Sequence, residues 1–338
     1  MFSDFTIGID IGGTRTKLGL VDSRGKVIRR RTIATQPERG PRRTLVRIAD
    51  TIKKLCGGQR ASSAGVGIAG LVDHHEGIVR LPPNLPGWHG APVRAILTDL
   101  LEVPVYCSND ANAVTLGEWL HGAGQGSNNL LCLTLGTGVG AGIISDGRML
   151  LGANHAAAEL GHITIFGNGP VCRCGNRGCL ERYVGAEYIV ERCRIRLRAQ
   201  ARRVKHSRNQ LTIFSDIRSE QPSLLFAMTN RSLSDLDTRK INRAARQNDP
   251  LALKVIEETG HYLGLGIASA VALLDPELVI IGGGVSGLGR PLLQATSRTV
   301  LSRVPLFSGR RLEIVLSELG SNAGIIGAAR LPAVLHRS

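Results

Sequence analysis

Two glycine-threonine turns, each set between runs of apolar residues, limit the folds open to this chain more than any other feature. Gly12-Gly13-Thr14 is entered by Ile7-Gly8-Ile9-Asp10-Ile11 and left through Lys17 to Val21; Gly136-Thr137-Gly138 is entered by Leu131 to Leu135 and left through Gly140 to Ile144. β-favouring runs on both sides of a tight turn predict hairpins. Each hairpin is followed by a further turn, Asp22-Ser23-Arg24-Gly25 or Asp146-Gly147, and a third strand, Lys26 to Ile33 or Met149-Leu150. Thr14 and Thr137 hold matching places 123 positions apart, too far for a solenoid repeat of a few tens of residues. The chain therefore divides into two related halves, and two similar lobes facing each other make a cleft.

Between and after the hairpins, strands alternate with helices. Thr44 to Leu55 and Ala111 to His121 have helical composition, the second stopping at Gly122. Ala64 to Ile68 and Val103 to Cys107 read as strands, separated by a Pro/Gly-rich loop from Leu81 to Pro92. Lys240 to Leu274 reads mainly as helix, Leu278 to Ile281 as a strand ending in Gly282-Gly283-Gly284, and a helix is expected from near Gly287. A last strand, Leu312 to Leu316, precedes a closing helix, Asn322 to His336. This alternation gives the α/β class, and 338 residues allow two separate cores. A small α/β domain is expected over residues 1–117, completed by the C-terminal helix 322–338, and a larger α/β domain over 118–321.

Cysteine usage and charge narrow the setting. Cys172, Cys174 and Cys179 cluster while Cys56, Cys107, Cys132 and Cys193 are scattered in apolar surroundings, which is no disulfide framework and predicts a reducing cytoplasm. Asp4 and Asp10 fall where a signal peptide would need a basic start and an apolar run, so no export signal is read. Asp275-Pro276-Glu277 breaks the apolar region Leu263 to Val285, so no membrane span is expected. The formal charge is +15, with arginine supplying 35 of 42 basic residues; such an excess suits nucleic acid, an anionic membrane surface or a polyanionic small molecule. Eight basic residues meet one acidic residue between Glu191 and Arg208. There Ile189, Cys193, Leu197, Ala201 and Val204 recur at spacings of three and four, predicting an amphipathic helix with an arginine-rich outer side. No recognition helix or base-stacking aromatic pattern accompanies it, so the reading is a solvated face, and nucleic acid is not expected as a partner.

Four motifs carry chemistry. Asp10 to Lys17 matches neither the G-x-x-x-x-G-K-[ST] nor the G-x-G-x-x-G pattern, and it returns as a strand instead of opening a helix. It is either a plain hairpin turn or a phosphate cradle, in which Gly12 and Gly13 expose backbone N–H groups, Thr14 and Lys17 add a hydroxyl and a charge, and Asp10 holds Mg²⁺ through water. The second hairpin favours the cradle, since two can clamp one triphosphate. Asn109-Asp110 stands at the carboxyl end of a strand, where α/β proteins place ligands, yet either side chain could simply cap the next helix. Cys172, Cys174, Cys179 and His162 supply the donors of a closed Cys₃His zinc site, structural and not catalytic. Such a site would fix Glu159 and Glu181, on either side of it, to accept hydrogen bonds from hydroxyls.

Asp10-Ile-Gly-Gly-Thr14, Leu135-Gly-Thr-Gly-Val-Gly140, Glu159-Leu-Gly-His162, Cys172-Arg-Cys174-Gly-Asn-Arg-Gly-Cys179-Leu-Glu181 and Gly282-Gly-Gly-Val285 together resemble the ROK family (repressors, open reading frames, kinases), from Thr6 to about Ala329. The resemblance implies an α/β, two-lobed actin-like ATPase (ribonuclease H-like) fold with a central cleft. It implies Asp110 as the base that takes a proton from a sugar hydroxyl. Gly70, Asn84, Asn109, Asp110, Glu159, His162 and Glu181 become the sugar-holding set. Asp10, Gly12, Gly13, Thr14, Lys17, Gly136, Thr137 and Gly138 face the phosphates, with Gly282, Gly283 and Gly284 on the adenosine side. ATP, Mg²⁺ and structural Zn²⁺ are the implied cofactors, and a homodimer or homotetramer the implied assembly. Gly67-Ile-Ala-Gly70 departs from the family, where many relatives have proline before the second glycine. The unbroken C-x-C-G-x-x-G-C run points to glucokinase-like or N-acetylmannosamine kinase-like members, with phosphorylation of glucose at the 6-hydroxyl the leading expectation. The alternatives are a sugar-responsive transcription regulator, disfavoured because Asp10 comes too early for a preceding helix-turn-helix, and a catalytically silent sugar sensor.

Overall fold

The computed structural model describes residues 5–209, 222–230, 232–304 and 311–335, with side chains at 203–209 left out. Among them one strand plan occurs twice. In the first half β1 (Phe5–Ile11), β2 (Arg15–Asp22) and β3 (Val27–Ala34) pair antiparallel in succession, with Asp10 opposite Lys17. Helix α1 (Pro41–Cys56) leads to β4 (Ala64–Ile68), which runs parallel to β1. A small ribbon, β5 (Leu71–Asp73) and β6 (Ile78–Leu81), and helix α2 (Val93–Leu101) precede β7 (Val105–Asn109), parallel to β4. The sheet order is β3-β2-β1-β4-β7.

Helix α3 (Asp110–His121) carries the chain to the second half, where β8 (Leu130–Leu135), β9 (Val139–Ser145) and β10 (Arg148–Met149) are again antiparallel. After α4 (Glu181–Val184), α5 (Ala186–Asn209), α6 (Leu225–Met228), α7 (Thr238–Ala245) and α8 (Pro250–Leu274) comes β11 (Leu278–Gly282), parallel to β8. Helix α9 (Arg290–Arg303) precedes β12 (Glu313–Leu316), parallel to β11, and α10 (Ala323–Leu335) closes the chain. The order β10-β9-β8-β11-β12 repeats the first sheet strand for strand. The fully buried strands β4 and β11 are continuous apolar runs, AGVGI and LVIIG, as strands covered on both faces require.

Each half has its own apolar core. One gathers Ile9, Leu18, Leu45, Val66 and Trp88; the other Leu133, Leu180, Ile189, Leu263 and Ile281. Helix α10, from the far end of the sequence, lies on β1, β2, β4 and β7 and crosses α3 at backbone contact. A Cβ added to Gly327 would fall 1.6 Å from the Ala113 carbonyl oxygen, and one on Gly117 would fall 2.5 Å from that of Ala323. No side chain fits between these helices.

Two expected elements differ. The helix over Lys240 to Leu274 is divided: Asp249 accepts from the Ala252 N–H at 2.8 Å and caps α8, whose first residue is Pro250, so α7 stops at Ala245. The helix expected from Gly287 begins at Arg290, because Gly289 has a φ of 72°, outside the helical region. The closing helix extends to Leu335, with His336 outside the described residues. The arginine-rich segment is helical in α5, and part of its charge is paired: Arg192 and Arg196 with Glu258, and Arg194 with Glu191. No helix among the described residues is long and apolar enough to cross a membrane.

Candidate active site

Between the lobes lies a cleft of about 900 Å³ onto which both glycine-threonine hairpins open. Gly12 and Gly13 of the β1–β2 turn, Gly136, Thr137 and Gly138 of the β8–β9 turn, and Gly283 after β11 line it. Gly70, Asn84, Asn109 and Asp110 contribute from the first half, and Glu159, His162, Cys174 and Glu181 from the second. The remaining expected residues are not on this wall. Asp10 is tied to Lys17 at 3.0 Å, Thr14 is exposed, Gly282 is the buried last residue of β11, and Gly284 begins a 3₁₀ turn. The turn at Gly283 has a φ of 84° and passes so close to β8 that a Cβ would lie 2.4 Å from the Leu135 carbonyl oxygen, a conformation glycine alone adopts without strain. At the first hairpin a Cβ on Gly13 would lie 2.7 Å from the Asn84 carbonyl oxygen, so the hairpin and the loop carrying Asn84 touch.

The corner between β7 and α3 resolves which residue caps the helix. Asn109 Oδ1 accepts from the N–H groups of Ala111 at 2.8 Å and Asn112 at 3.3 Å, while its Nδ2 donates to the Gly70 carbonyl at 3.0 Å. Asn109 thus fills the capping role and anchors the neighbouring loop. Asp110 takes one local bond, from the Ala111 N–H at 2.9 Å, and otherwise presents its carboxyl to the cleft. Burial, reinforced by the negative charges of Asp10 and Glu159, raises that carboxyl from the ordinary 3.8 to about 6. The nearby backbone N–H groups pull the other way. A carboxyl that titrates at about 6 is mostly ionised at neutral pH yet more basic than an ordinary carboxylate, which suits it to accept and return a proton.

On the opposite wall His162, Cys172, Cys174 and Cys179 place one donor atom each within 4.8 Å of one another. The separations are 3.6 Å between the Sγ atoms of Cys174 and Cys179 and 3.8 Å between Cys172 Sγ and His162 Nδ1. Tetrahedral zinc with Zn–S bonds of about 2.3 Å sets donor separations just under about 4 Å; the pairs at 3.6 and 3.8 Å match that spacing, and the set could hold such an ion. Glu181 follows the last cysteine by two residues, and its Oε2 accepts from the Val139 N–H at 3.0 Å. This bond ties the cysteine loop to the second hairpin. Spacing alone could not reveal it, because the two residues are 42 apart in sequence.

His155 was likewise not expected. It lines the cleft and packs edge-on against His74 and His75 of the other half, with ring centroids 4.9 and 5.1 Å away. Burial pushes His74 down to about 4. No periodicity links these histidines.

Comparison with known proteins matches residues 6–333 to the ROK family. The chain is 37% identical to a glucokinase of Thermotoga maritima and 31% identical to one of Streptomyces coelicolor, each alignment covering 96% of both chains. Among solved structures it is similar to a ROK family glucokinase from Streptomyces griseus in complex with glucose and AMPPNP, with a TM-score of 0.81, 32% identity and coverage of 97% of this chain and 98% of that one. It is also similar to the ROK hexokinase from Thermus thermophilus, with a TM-score of 0.73, 30% identity and coverage of 98% and 99%. The paired sheets, the facing hairpins and this full-length match lead to one conclusion: the chain belongs to the ROK family and has its two-domain, actin-like ATPase fold.

Proposed function

We propose that this protein is an ATP- and Mg²⁺-dependent hexose kinase that converts glucose to glucose 6-phosphate. The observation that carries the reading is the placement of the Asp110 carboxyl on a cleft wall shared with both hairpins and with Asn84, Glu159, His162 and Glu181. Support comes from the similar glucokinase whose structure holds glucose and AMPPNP together. Phosphoryl transfer needs in-line positioning and charge neutralisation more than covalent help. Asp110 accepts the proton of the 6-hydroxyl as that oxygen attacks the γ-phosphorus and the bond to the leaving ADP breaks. A base so placed contributes about 10²- to 10⁴-fold. The hairpin glycines offer backbone N–H groups to the phosphates, with Gly283 on the adenosine side. Asn84, Glu159, His162 and Glu181 hold the sugar hydroxyls, while Asn109 fixes the loop at Gly70 on which the sugar rests. Asp10, paired with Lys17 behind the cleft wall but close enough for its charge to act on Asp110, would hold the Mg²⁺ carried with the nucleotide through water, and that ion would neutralise phosphate charge.

The Cys₃His set would hold structural zinc, which would stiffen the loop leading into Glu181 at the start of α4. The lobes correspond to residues 1–117 with 322–338 and to 118–321, a division supported by α10 lying on the first sheet. Closure of the lobes over the sugar would exclude water from the γ-phosphate. A panel of hexoses and amino sugars, assayed by coupled phosphorylation with ATP and again with polyphosphate, tests the proposal. Glucose with ATP should give the highest kcat/KM. A preference for N-acetylmannosamine would move the substrate within the family, and phosphorylation of no sugar would overturn the reading.

A further inference from the structure

The chain passes between the two sheets at two joints, residues 122–129 after α3 and residues 317–322 before α10. One fully buried side chain touches both. Glu118 Oε2 accepts from the Ala123 N–H at 3.1 Å in the first joint and from the Glu318 N–H at 3.2 Å in the second, and Oε1 accepts from the Leu319 N–H at 3.0 Å. Its carbonyl oxygen also accepts from the N–H groups of Gly122 at 3.0 Å and Gly124 at 2.9 Å. A carboxylate is acceptor-only, with about four lone-pair sites, and so can serve three N–H groups from two segments at once. An isosteric amide would turn its own NH₂ toward at least one of them.

Glu118 and Asp110 share helix α3, two turns and about 12 Å apart. The same helix crosses α10 at Gly117 and Gly327 with backbones in contact. A rotation of the lobes must be absorbed by φ/ψ changes at the joints, and any change there turns α3 and re-aims the carboxyl at its N-terminus. We propose that Glu118 is a positioning residue for phosphoryl transfer: it clasps both inter-lobe joints to α3, so that closure of the lobes brings Asp110 onto the sugar hydroxyl. This rests on the reading of the cleft as a hexose kinase.

The test is Glu118→Gln in the full chain, followed by glucose kcat, glucose affinity by calorimetry, and the change in tryptophan fluorescence and radius of gyration on adding glucose. The fluorescence reports where it is needed, since Trp119 donates to the Ser127 carbonyl in the first joint at 2.8 Å and Trp88 is buried beside the Asn84 loop. The expected result is a kcat at least tenfold lower with glucose still bound, and a loss of the glucose-driven compaction and fluorescence change. Glu118→Asp, which keeps the charge, should recover part of both. Gly122→Ala supplies an independent arm: its Cβ would fall 2.3 Å from Glu118 Oε2 and displace the carboxylate without removing it. It should give the same pattern, and it decides the question if Glu118→Gln does not fold. A lowered Tm with normal kcat and normal compaction in the folded variants would overturn the clasp. A wild-type protein that phosphorylates no hexose would instead remove the kinase reading beneath it.

Discussion

In the first half the strand that ends the sheet, β7, delivers Asn109 and Asp110 into α3; in the second half its counterpart, β12, delivers Ser317 to Asn322 into α10. The corners match in topology and differ in content. One holds a capped helix start and a carboxyl raised to about 6, and the other a joint gripped by Glu118. The hairpins differ in the same way. The first pairs Asp10 with Lys17 across its strands and leans on the loop of Asn84, while the second is bonded through Val139 to Glu181, the first residue of α4 just after the cysteine cluster. Even the third strands diverge: β3 runs eight residues with Arg29, Arg30 and Arg31 exposed along an edge, which blunts it against pairing with other chains, whereas β10 has two residues and opens into the long segment that carries His162 and the three clustered cysteines. One scaffold used twice places its chemistry in the connections, where substitution does not disturb the ladder.

The sharpest way to break this division of labour is to remove the base from the first half. Asp110→Asn should bind glucose nearly normally by calorimetry and turn over slower by about 10²- to 10⁴-fold; wild-type turnover would take the chemistry away from the β7–α3 corner. The second half should respond differently. Cys179→Ser is expected to abolish bound zinc, measured by elemental analysis, and to lower kcat/KM by about 10- to 100-fold because Glu181 and the second hairpin lose their brace. Full activity in a zinc-free protein would show that the loop needs no metal to hold its shape.

The pH dependence separates the halves more finely. With the Asp110 carboxyl at about 6, log(kcat/KM) should fall with unit slope below pH 6, tenfold per unit, as the base becomes protonated. The stability effect is smaller and has the opposite sense. The folded pKa lies above the ordinary 3.8, so the native state holds this proton more tightly. The stabilisation is fully present below pH 3.8 and is lost as pH rises through about 6. Asp110→Asn should therefore gain a few degrees in Tm over wild type at pH 8 and nothing near pH 3.5, measured by thermal melts. A flat difference across that range would place the carboxyl in a more open, water-like setting.

Much of this was legible in the chain itself. The two-lobed α/β plan was readable from the hairpins and their spacing of 123 residues, and the meeting of His162 with Cys172, Cys174 and Cys179 from the cysteine cluster, because hairpin turns and such loops are built from residues close in sequence. Local signals also misled in places. The apolar periodicity of Lys240 to Leu274 concealed the break that Asp249 and Pro250 make, and a cap at Asn109 or Asp110 was equally compatible with the sequence.

What the sequence by itself determined was which chemical groups the protein possesses and the local turns and strands that present them, since glycine φ angles, strand alternation and C-x-C spacing act over a few bonds. Only the tertiary structure decided which groups meet. The bond from Glu181 to Val139, the contact of His155 with His74 and the hold of Glu118 on Leu319 join residues 42, 81 and 201 positions apart. Such encounters follow from how two sheets and two crossing helices pack, and packing depends on the whole chain at once.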